Sequence, residues 1–331
     1  MNPYLLVPAA LALAGLSLET WRRARARALW QAPGQRIDVG GHSLHAKSYG
    51  AGPSCSSSRP TRASTQWGTL PERFADVARV IAYDRGGLGW SDLGPAPRDA
   101  ETLARELHQL LRKLVPDPAR RTLIVAHGTG AHIARMYAHR YPFEMVGLVL
   151  VDGHPDTLID RLRREQVRPP VGARWLSALE GALARFGLLR LLALRGTSNN
   201  LLPLPARQIA LLDALELDPR VRRGAAEELA AEERTLEQMG RLREATATPT
   251  HVLVAGATLD ERRVPRTFPR SDYNKIWAEE GAKLARTSTC AEVTVLEDAD
   301  HLLQLRAPDL VEQAIRGILA SSERAEEPRP R

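Results

Sequence analysis

Cysteine and lysine are both scarce in this chain, and each scarcity excludes a class of protein. The two cysteines, Cys55 and Cys290, form no CxxC pair and no framework of bridges, and no histidine pattern has metal-ligand spacing. Only four of the 46 basic residues are lysines, and the arginines are scattered without a basic stripe or interleaved aromatic residues. Since a phosphate-cradling glycine loop is also missing, we expect no metal, no cofactor and no nucleic-acid partner.

A hydrophobic run of the usual membrane-spanning length is missing too, although the N-terminus comes close. Residues Tyr4 to Leu18 are uncharged and mostly apolar, and arginines follow at positions 22, 23, 25 and 27. About 20 apolar residues are usual for a span, but flanking residues can extend a shorter one. We expect residues 1–30 to be a candidate transmembrane segment that associates the chain with a membrane. The positive charge after it favours a cytoplasmic body. The alternative is a buried or interfacial N-terminal helix.

Strand and helix patterns alternate through the middle of the chain and predict an α/β core. Apolar runs and amphipathic helices follow one another from about residue 78 to 151, which is typical of a doubly wound, mostly parallel sheet. A hairpin is predicted from Arg36 to Tyr49, and a helix from Ala100 to Leu114. The core is expected to comprise residues 35–153 and 248–320.

The region between the two parts of this core shows only helix patterns. Amphipathic helices are predicted at residues 175–189, at Ile209–Leu217 and at Ala225–Leu242. We therefore expect a helical insertion over residues 154–247. The polar tail, residues 321–331, is expected to be disordered.

A sharp strand-to-helix turn without a reactive side chain is the most informative feature of the sequence. Residues Arg121 to Ala126 are typical of a buried strand, and residues Ala131 to Tyr141 of a helix. Between them lie Gly128, Thr129 and Gly130, and glycine lets the backbone turn sharply. Such a turn presents the side chain at position 128, where glycine offers no hydroxyl, thiol or carboxylate.

The turn and its helix resemble the nucleophile elbow of the α/β-hydrolase family, whose motif is Gly-x-Ser-x-Gly. The sequence Ile-Ala-Arg-Met-Tyr-Ala-His-Arg-Tyr-Pro at residues 133–142 is similar to the family's helix, so Gly128 stands at the nucleophile position. The resemblance implies that the backbone N–H of Thr129 belongs to the oxyanion hole. Glycine excludes both the serine route of esterases and the aspartate route of epoxide hydrolases. The Thr129 side chain should leave the turn in another direction.

A second loop that resembles the family follows the apolar run at residues 80–83. It reads Asp84-Arg85-Gly-Gly-Leu-Gly-Trp-Ser-Asp, and its glycines permit a tight loop beside the elbow. We expect Asp84 and Arg85 to hold this loop by hydrogen bonds and charge, without a part in the chemistry.

A third resemblance concerns His301, which follows an apolar strand at residues 292–296 and takes the position of the catalytic histidine. Two aspartates are candidates for the acid that orients its ring. Asp260 follows the seventh strand, and Asp152 follows the sixth strand. We favour Asp260, in an orienting role only. The alternative is that each aspartate merely caps a loop.

The segment at residues 53–62 interrupts the resemblance where the family has its third strand and an oxyanion loop. It reads Pro-Ser-Cys-Ser-Ser-Ser-Arg-Pro-Thr-Arg. The segment is expected not to form a central strand, because serine carries little core volume and proline removes a ladder donor. One hypothesis is a pair of compensating frameshifts, since the neighbouring frame can encode Val-Val-Leu-Leu-Glu-Ser. An ordinary surface loop is the alternative.

The resemblance implies a small-molecule esterase with a helical lid, but one whose nucleophile is missing. An apolar ligand or ester would bind beneath the lid, and covalent hydrolysis is expected to be impaired or absent. Two alternatives are open. The first is a ligand-binding protein without chemistry, and the second is non-covalent chemistry that depends on His301.

Overall fold

The computed structural model describes residues 13–21, 24–25, 29–50, 54–58, 64–117, 121–167, 202–242, 244–259 and 264–326. Eight strands of these residues form one sheet in the order β1-β2-β4-β3-β5-β6-β7-β8. The strands are β1 (Gln35–Asp38), β2 (Ser43–Tyr49), β3 (Ser54–Ser58), β4 (Arg79–Tyr83), β5 (Thr122–His127), β6 (Met145–Val151), β7 (Thr250–Ala255) and β8 (Ala291–Leu296).

The strand directions confirm the predicted mostly parallel sheet. β1 pairs antiparallel with β2, which is the predicted hairpin, and β2 pairs antiparallel with β4. From β4 through β3, β5, β6 and β7 to β8, every pair is parallel. The carboxyl ends of these parallel strands therefore meet at one edge, where ligands bind in open α/β sheets.

Helices cover both faces of the sheet. After the N-terminal region, the α-helices in the described part of the chain are α1 (Ala100–Leu114), α2 (Gly130–Arg140), α3 (Leu158–Arg164), α4 (Ala206–Glu216), α5 (Pro219–Ala230), α6 (Glu232–Arg241), α7 (Arg270–Ala282), α8 (Leu303–Arg306) and α9 (Pro308–Glu326). Shorter 3-10 segments are Ser64–Trp67, Leu70–Phe74, Pro142–Glu144 and Lys283–Thr287.

Each face of the sheet has its own apolar cluster. α1 spans the predicted residues, begins where the side chain of Asp99 accepts a hydrogen bond from the Thr102 N–H, and buries its leucine face. α1 and α2 pack with the sheet in one cluster, and α9 packs in the other through Val311, Ala314 and Ile315. Burying each large apolar side chain stabilises the fold by about 1.5–3 kcal/mol.

The expectation that residues 53–62 form no central strand was wrong for residues 54–58. β3 lies between β4 and β5 and pairs with both in parallel register. A ladder is formed by backbone N–H and C=O groups, so a short strand can pair whatever side chains it carries. Arg59, Pro60 and Arg62 follow this strand and lie outside the described residues.

The region between β6 and β7 is helical in its described part, with α3 to α6. Two predicted helices differ from the structure in their ends: α4 begins before Ile209, and the predicted Ala225–Leu242 helix is two helices that meet at Ala231. The predicted helix at residues 175–189 lies outside the described residues. We call α4, α5 and α6 the inserted helices.

Part of each chain end is described. Of the predicted membrane segment, residues 1–12 lie outside the described residues, and residues 13–21 are helical. No helix in the described part of the chain has the length and apolar character needed to cross a membrane. The tail was predicted to be disordered from residue 321, but α9 continues through Glu326.

Candidate active site

Gly128 occupies a turn between β5 and α2 in a left-handed conformation. Its φ is +57°, a backbone conformation that residues other than glycine rarely adopt. A Cβ built on Gly128 would lie 3.7 Å from Cε1 and 3.8 Å from Nε2 of His301. An oxygen one bond further out would come within hydrogen-bonding reach of Nε2, at about 2.6–3.2 Å. Position 128 therefore faces the imidazole as a nucleophile would.

His301 lies in the loop between β8 and α8, and hydrogen bonds hold both its ring and its backbone. Nδ1 lies 2.6 Å from Oδ2 of Asp152. Because a carboxylate only accepts, Nδ1 carries the proton, and Nε2 is the basic nitrogen facing position 128. The His127 ring donates from Nε2 to the backbone carbonyl of His301 over 2.6 Å. The imidazole is thus oriented in the way a general base requires.

Asp152 is the carboxylate that contacts His301, and it is held by an extensive hydrogen-bond network. Oδ1 accepts from the Ala255 N–H at 2.9 Å and from Nε1 of Trp277 at 2.8 Å. Oδ2 accepts from the Thr258 hydroxyl at 2.6 Å as well as from His301. Asp152 is buried and has a φ of +43°, an uncommon conformation that is found at functional sites. These donors favour the ionised carboxylate.

Asp260, the aspartate that the sequence favoured, lies outside the described residues. Among the described residues, the structure brings together Gly128, His301 and Asp152. Thr258 and Trp277 contact the same carboxylate and were not among the candidates from sequence. Trp277 lies on α7 with no motif around it, and only the folded arrangement shows its contact.

The carboxylate of Asp84 joins its own loop to β2 and to the segment at Ser64. Its Oδ2 lies 2.8 Å from Nδ1 of His45 and accepts from the Trp90 N–H at 3.0 Å. Its Oδ1 accepts from the Ser64 N–H at 2.6 Å. A Cβ built on Gly89 would lie 2.2 Å from Oδ2 of Asp84, so glycine is required there. The carboxylate is buried and fully engaged in holding the loop.

Arg85 connects this loop to the inserted helices. Its guanidinium donates from Nε at 2.9 Å and from a terminal nitrogen at 2.6 Å to the two carboxylate oxygens of Glu228 on α5. The side chains are 1% and 10% exposed, so the pair is shielded from water. The sequence predicted a structural role for Arg85, but it did not identify a partner 143 residues away.

A second cluster of charged and imidazole groups joins His132 and Arg135 of α2 to Asp156 and His154, which follow β6. Burial tends to raise the pKa of Asp156, but hydrogen bonds from His132 and Arg135 outweigh it, so the pKa falls well below its usual range. Burial, together with the charge of the nearby His132, lowers the pKa of His154 to about 4. The cluster therefore keeps Asp156 ionised and His154 neutral near pH 7.

Thr129 lines a cavity of about 230 Å³ that lies between α1, α2, α5 and α6. This position, directly after Gly128 and beneath the inserted helices, is where the resemblance places the ligand. In the described residues, no group of three or more histidine, cysteine, aspartate or glutamate side chains is arranged to hold a metal ion.

Comparisons with known proteins identify the family and the fold. The family model described as "Alpha/beta hydrolase family" matches residues 44–314. An uncharacterised curated protein, YqjL of Bacillus subtilis, is 33% identical over 89 residues, which are 27% of this chain and 34% of YqjL. The chain therefore matches only about a third of that relative's length.

Solved structures show the same fold at low sequence identity. A putative lipase from Acinetobacter baumannii has a TM-score of 0.64 at 18% identity, covering 93% of this chain and 97% of its own. An enol-lactonase from Burkholderia xenovorans has a TM-score of 0.61 at 18% identity, with 86% and 100% covered. An esterase from Thermogutta terrifontis has a TM-score of 0.57 at 23% identity, with 87% and 99% covered. With its sheet order, its turn at Gly128 and the matched residues 44–314, this chain belongs to the alpha/beta hydrolase family.

Proposed function

We propose that this protein binds a small ester or a similar molecule at the Gly128 turn but forms no covalent intermediate there. One observation carries the proposal: the Cβ position of Gly128 lies 3.8 Å from Nε2 of His301, and no side chain stands there. A serine at this position would give its proton to Nε2 and attack the carbonyl carbon. Glycine supplies neither the proton nor the attacking atom.

The partners of the missing nucleophile are present. His301 is the base, Asp152 orients it, and the backbone N–H of Thr129, at the start of α2, would stabilise a developing oxyanion. Esters and lactones are suitable test ligands because the structural neighbours include a putative lipase, an enol-lactonase and an esterase. Association of residues 1–30 with a membrane stays a prediction and supports none of these roles.

The test is whether a covalent acyl adduct forms with p-nitrophenyl butyrate, measured as intact protein mass after an acid quench. We expect no adduct on the wild-type protein and an adduct at position 128 in Gly128→Ser. The double variant Gly128→Ser with His301→Ala controls for adventitious acylation and should form no adduct. An acyl adduct on the wild-type chain at one equivalent would contradict the proposal.

A second candidate function is non-covalent chemistry with His301 as the base. It is favoured by the ordered carboxylate of Asp152, which receives hydrogen bonds from Ala255, Trp277, Thr258 and His301. Such a network would be needed to orient a base even without a nucleophile. If this function holds, wild-type protein accelerates p-nitrophenyl acetate hydrolysis, and His301→Ala and Asp152→Asn each remove the acceleration. Equal rates in all three proteins would exclude it.

A further inference from the structure

The cavity beside the elbow has an apolar wall and a polar end. Its volume is about 230 Å³. An apolar cavity of about 150 Å³ holds a benzene molecule, so this one has room for a bicyclic aromatic group or a short alkyl chain. The apolar wall comes from α1, α2 and α5, through Ala100, Leu103, Ile133, Ala225, Ala226 and Leu229.

The four charged side chains that line the cavity, Arg98, Arg222, Glu228 and Glu232, each have an interaction within the protein. Arg98 donates two hydrogen bonds to the carboxylate of Glu106, one of them at 2.8 Å. Glu228 receives both hydrogen bonds from Arg85. The Nε of Arg222 donates to the backbone carbonyl of Glu216 at 2.6 Å. A charged ligand would have to compete with these pairs and lose its own hydration, which is unfavourable in a small cavity.

The polar end lies at the start of α2, where Thr129 and His132 line the cavity. Nε2 of His132 lies 3.3 Å from Oδ1 of Asp156, so a carboxylate flanks one side of that ring. Thr129 follows position 128 directly, so a polar group bound at this end lies next to the elbow. An uncharged hydrogen-bonding group matches this end better than an ion does.

We propose that the cavity binds an uncharged small molecule with an apolar body and one hydrogen-bonding end, with that end at Thr129 and His132. The proposal rests on the proposed function only in placing the ligand beside the elbow, and it needs no chemistry at position 128. It names the ligand class of the site: neutral bicyclic aromatics or chains of about eight carbons with a hydroxyl, ester or amide.

The test is calorimetric titration at pH 7 with four matched probes: 1-naphthol, naphthalene, 1-naphthoate and 1-naphthylmethylammonium. We expect 1-naphthol to bind at least tenfold more tightly than either ion and several-fold more tightly than naphthalene. Ala226→Phe fills the cavity and should weaken 1-naphthol binding at least tenfold. Ala230→Phe is the matched control, because Ala230 lies on the same helix but is exposed.

The choice of probe and one further variant keep the outcomes distinct. 1-Naphthol has no bond that the site could cleave, so its binding is measured without chemistry, and failure of the proposed chemistry does not affect this result. Ala225→Leu is a second cavity-filling variant in case Ala226→Phe unfolds, which circular dichroism reports. Equal 1-naphthol affinity in the filled and control variants, or tighter binding of an ion than of 1-naphthol, would overturn the proposal.

Discussion

At the scale of single residues, the left-handed turn at position 128 and the ring of His301 are matched to one another. The turn points the Cβ position of residue 128 toward Nε2 of His301, while the carboxylate of Asp152 accepts a hydrogen bond from Nδ1 of the same ring at 2.6 Å. Two residues of the site, Gly128 and Asp152, have positive φ values. An aspartate in this region is strained by about 1–3 kcal/mol, and the donors around its carboxylate offset that strain.

His154 makes the stability of the protein depend on pH. Its folded pKa of about 4 lies below its ordinary value of 6.5 because the ring is buried and near His132. Between these pH values the unfolded chain binds a proton that the folded protein does not, so stability falls as pH decreases from 6.5 to 4. A fully buried group with this shift would change the free energy of unfolding by about 3 kcal/mol. The residue as a whole is half-buried, so we expect about 2 kcal/mol.

Urea unfolding at pH 7.5 and at pH 4.5 measures this effect. The loss of stability between the two pH values should be smaller in His154→Gln than in wild type by about 2 kcal/mol. His139→Gln is the matched control because His139 is exposed on α2. Identical losses in wild type and His154→Gln would show that another group causes the loss of stability at acidic pH.

At the scale of elements, a close backbone contact joins α5 to the loop that begins at Asp84. A Cβ built on Gly224 of α5 would lie 2.7 Å from the Cα of Gly87, and the obstacle is backbone. This contact places the next turn of α5 so that Glu228 reaches Arg85 at 2.6 Å. This close glycine contact and this shielded ion pair are two of the contacts that position α5 on the loop.

Gly224→Ala should lower the free energy of unfolding by about 1–3 kcal/mol, because the added methyl group overpacks against backbone. Gly240→Ala on α6 is the matched control, since a Cβ there meets nothing within 4 Å. Alanine in place of a helical glycine should stabilise the protein by up to about 1 kcal/mol. Chemical unfolding measures the free energy of unfolding of both variants. An unchanged free energy in Gly224→Ala would show that Gly224 does not contact the backbone of Gly87 this closely.

At the scale of the whole molecule, the serine-rich β3 lies between two parallel neighbours, β4 and β5. Strands in such positions are usually continuous apolar runs. The combined substitution Ser54→Val, Cys55→Leu and Ser56→Leu follows the neighbouring reading frame and should raise the free energy of unfolding by about 2–4 kcal/mol. Ser48→Val on β2 is the control because Ser48 is exposed, and it should change stability little.

The same strand variant also tests whether both departures from the family matter for chemistry. Gly128→Ser alone restores the attacking group. Combined with the apolar β3, it should turn over p-nitrophenyl esters faster than Gly128→Ser alone, because acyl transfer needs nucleophile and oxyanion loop together. Equal turnover by the two proteins would show that β3 has no bearing on catalysis.

Much of the whole-molecule architecture could be predicted, because strand and helix periods and the elbow are local patterns. The parallel sheet, the hairpin and α1 agree with the sequence. Long-range contacts could not be predicted from local patterns. Asp152 and Asp260 each follow a strand pattern in the sequence, and only the folded structure shows that Asp152 contacts His301. β3 was missed because its ladder depends on backbone pairing rather than on apolar side chains.

The most direct measurement of the central claim is labelling with a fluorophosphonate probe, followed by peptide mapping. This reagent phosphonylates an oxygen nucleophile that has an imidazole base beside it. We expect no stoichiometric label on the wild-type protein, one label per chain at position 128 in Gly128→Ser, and none when His301→Ala is added. A stoichiometric label anywhere on the wild-type chain would contradict the account, because it would reveal a nucleophile that the Gly128 turn does not provide.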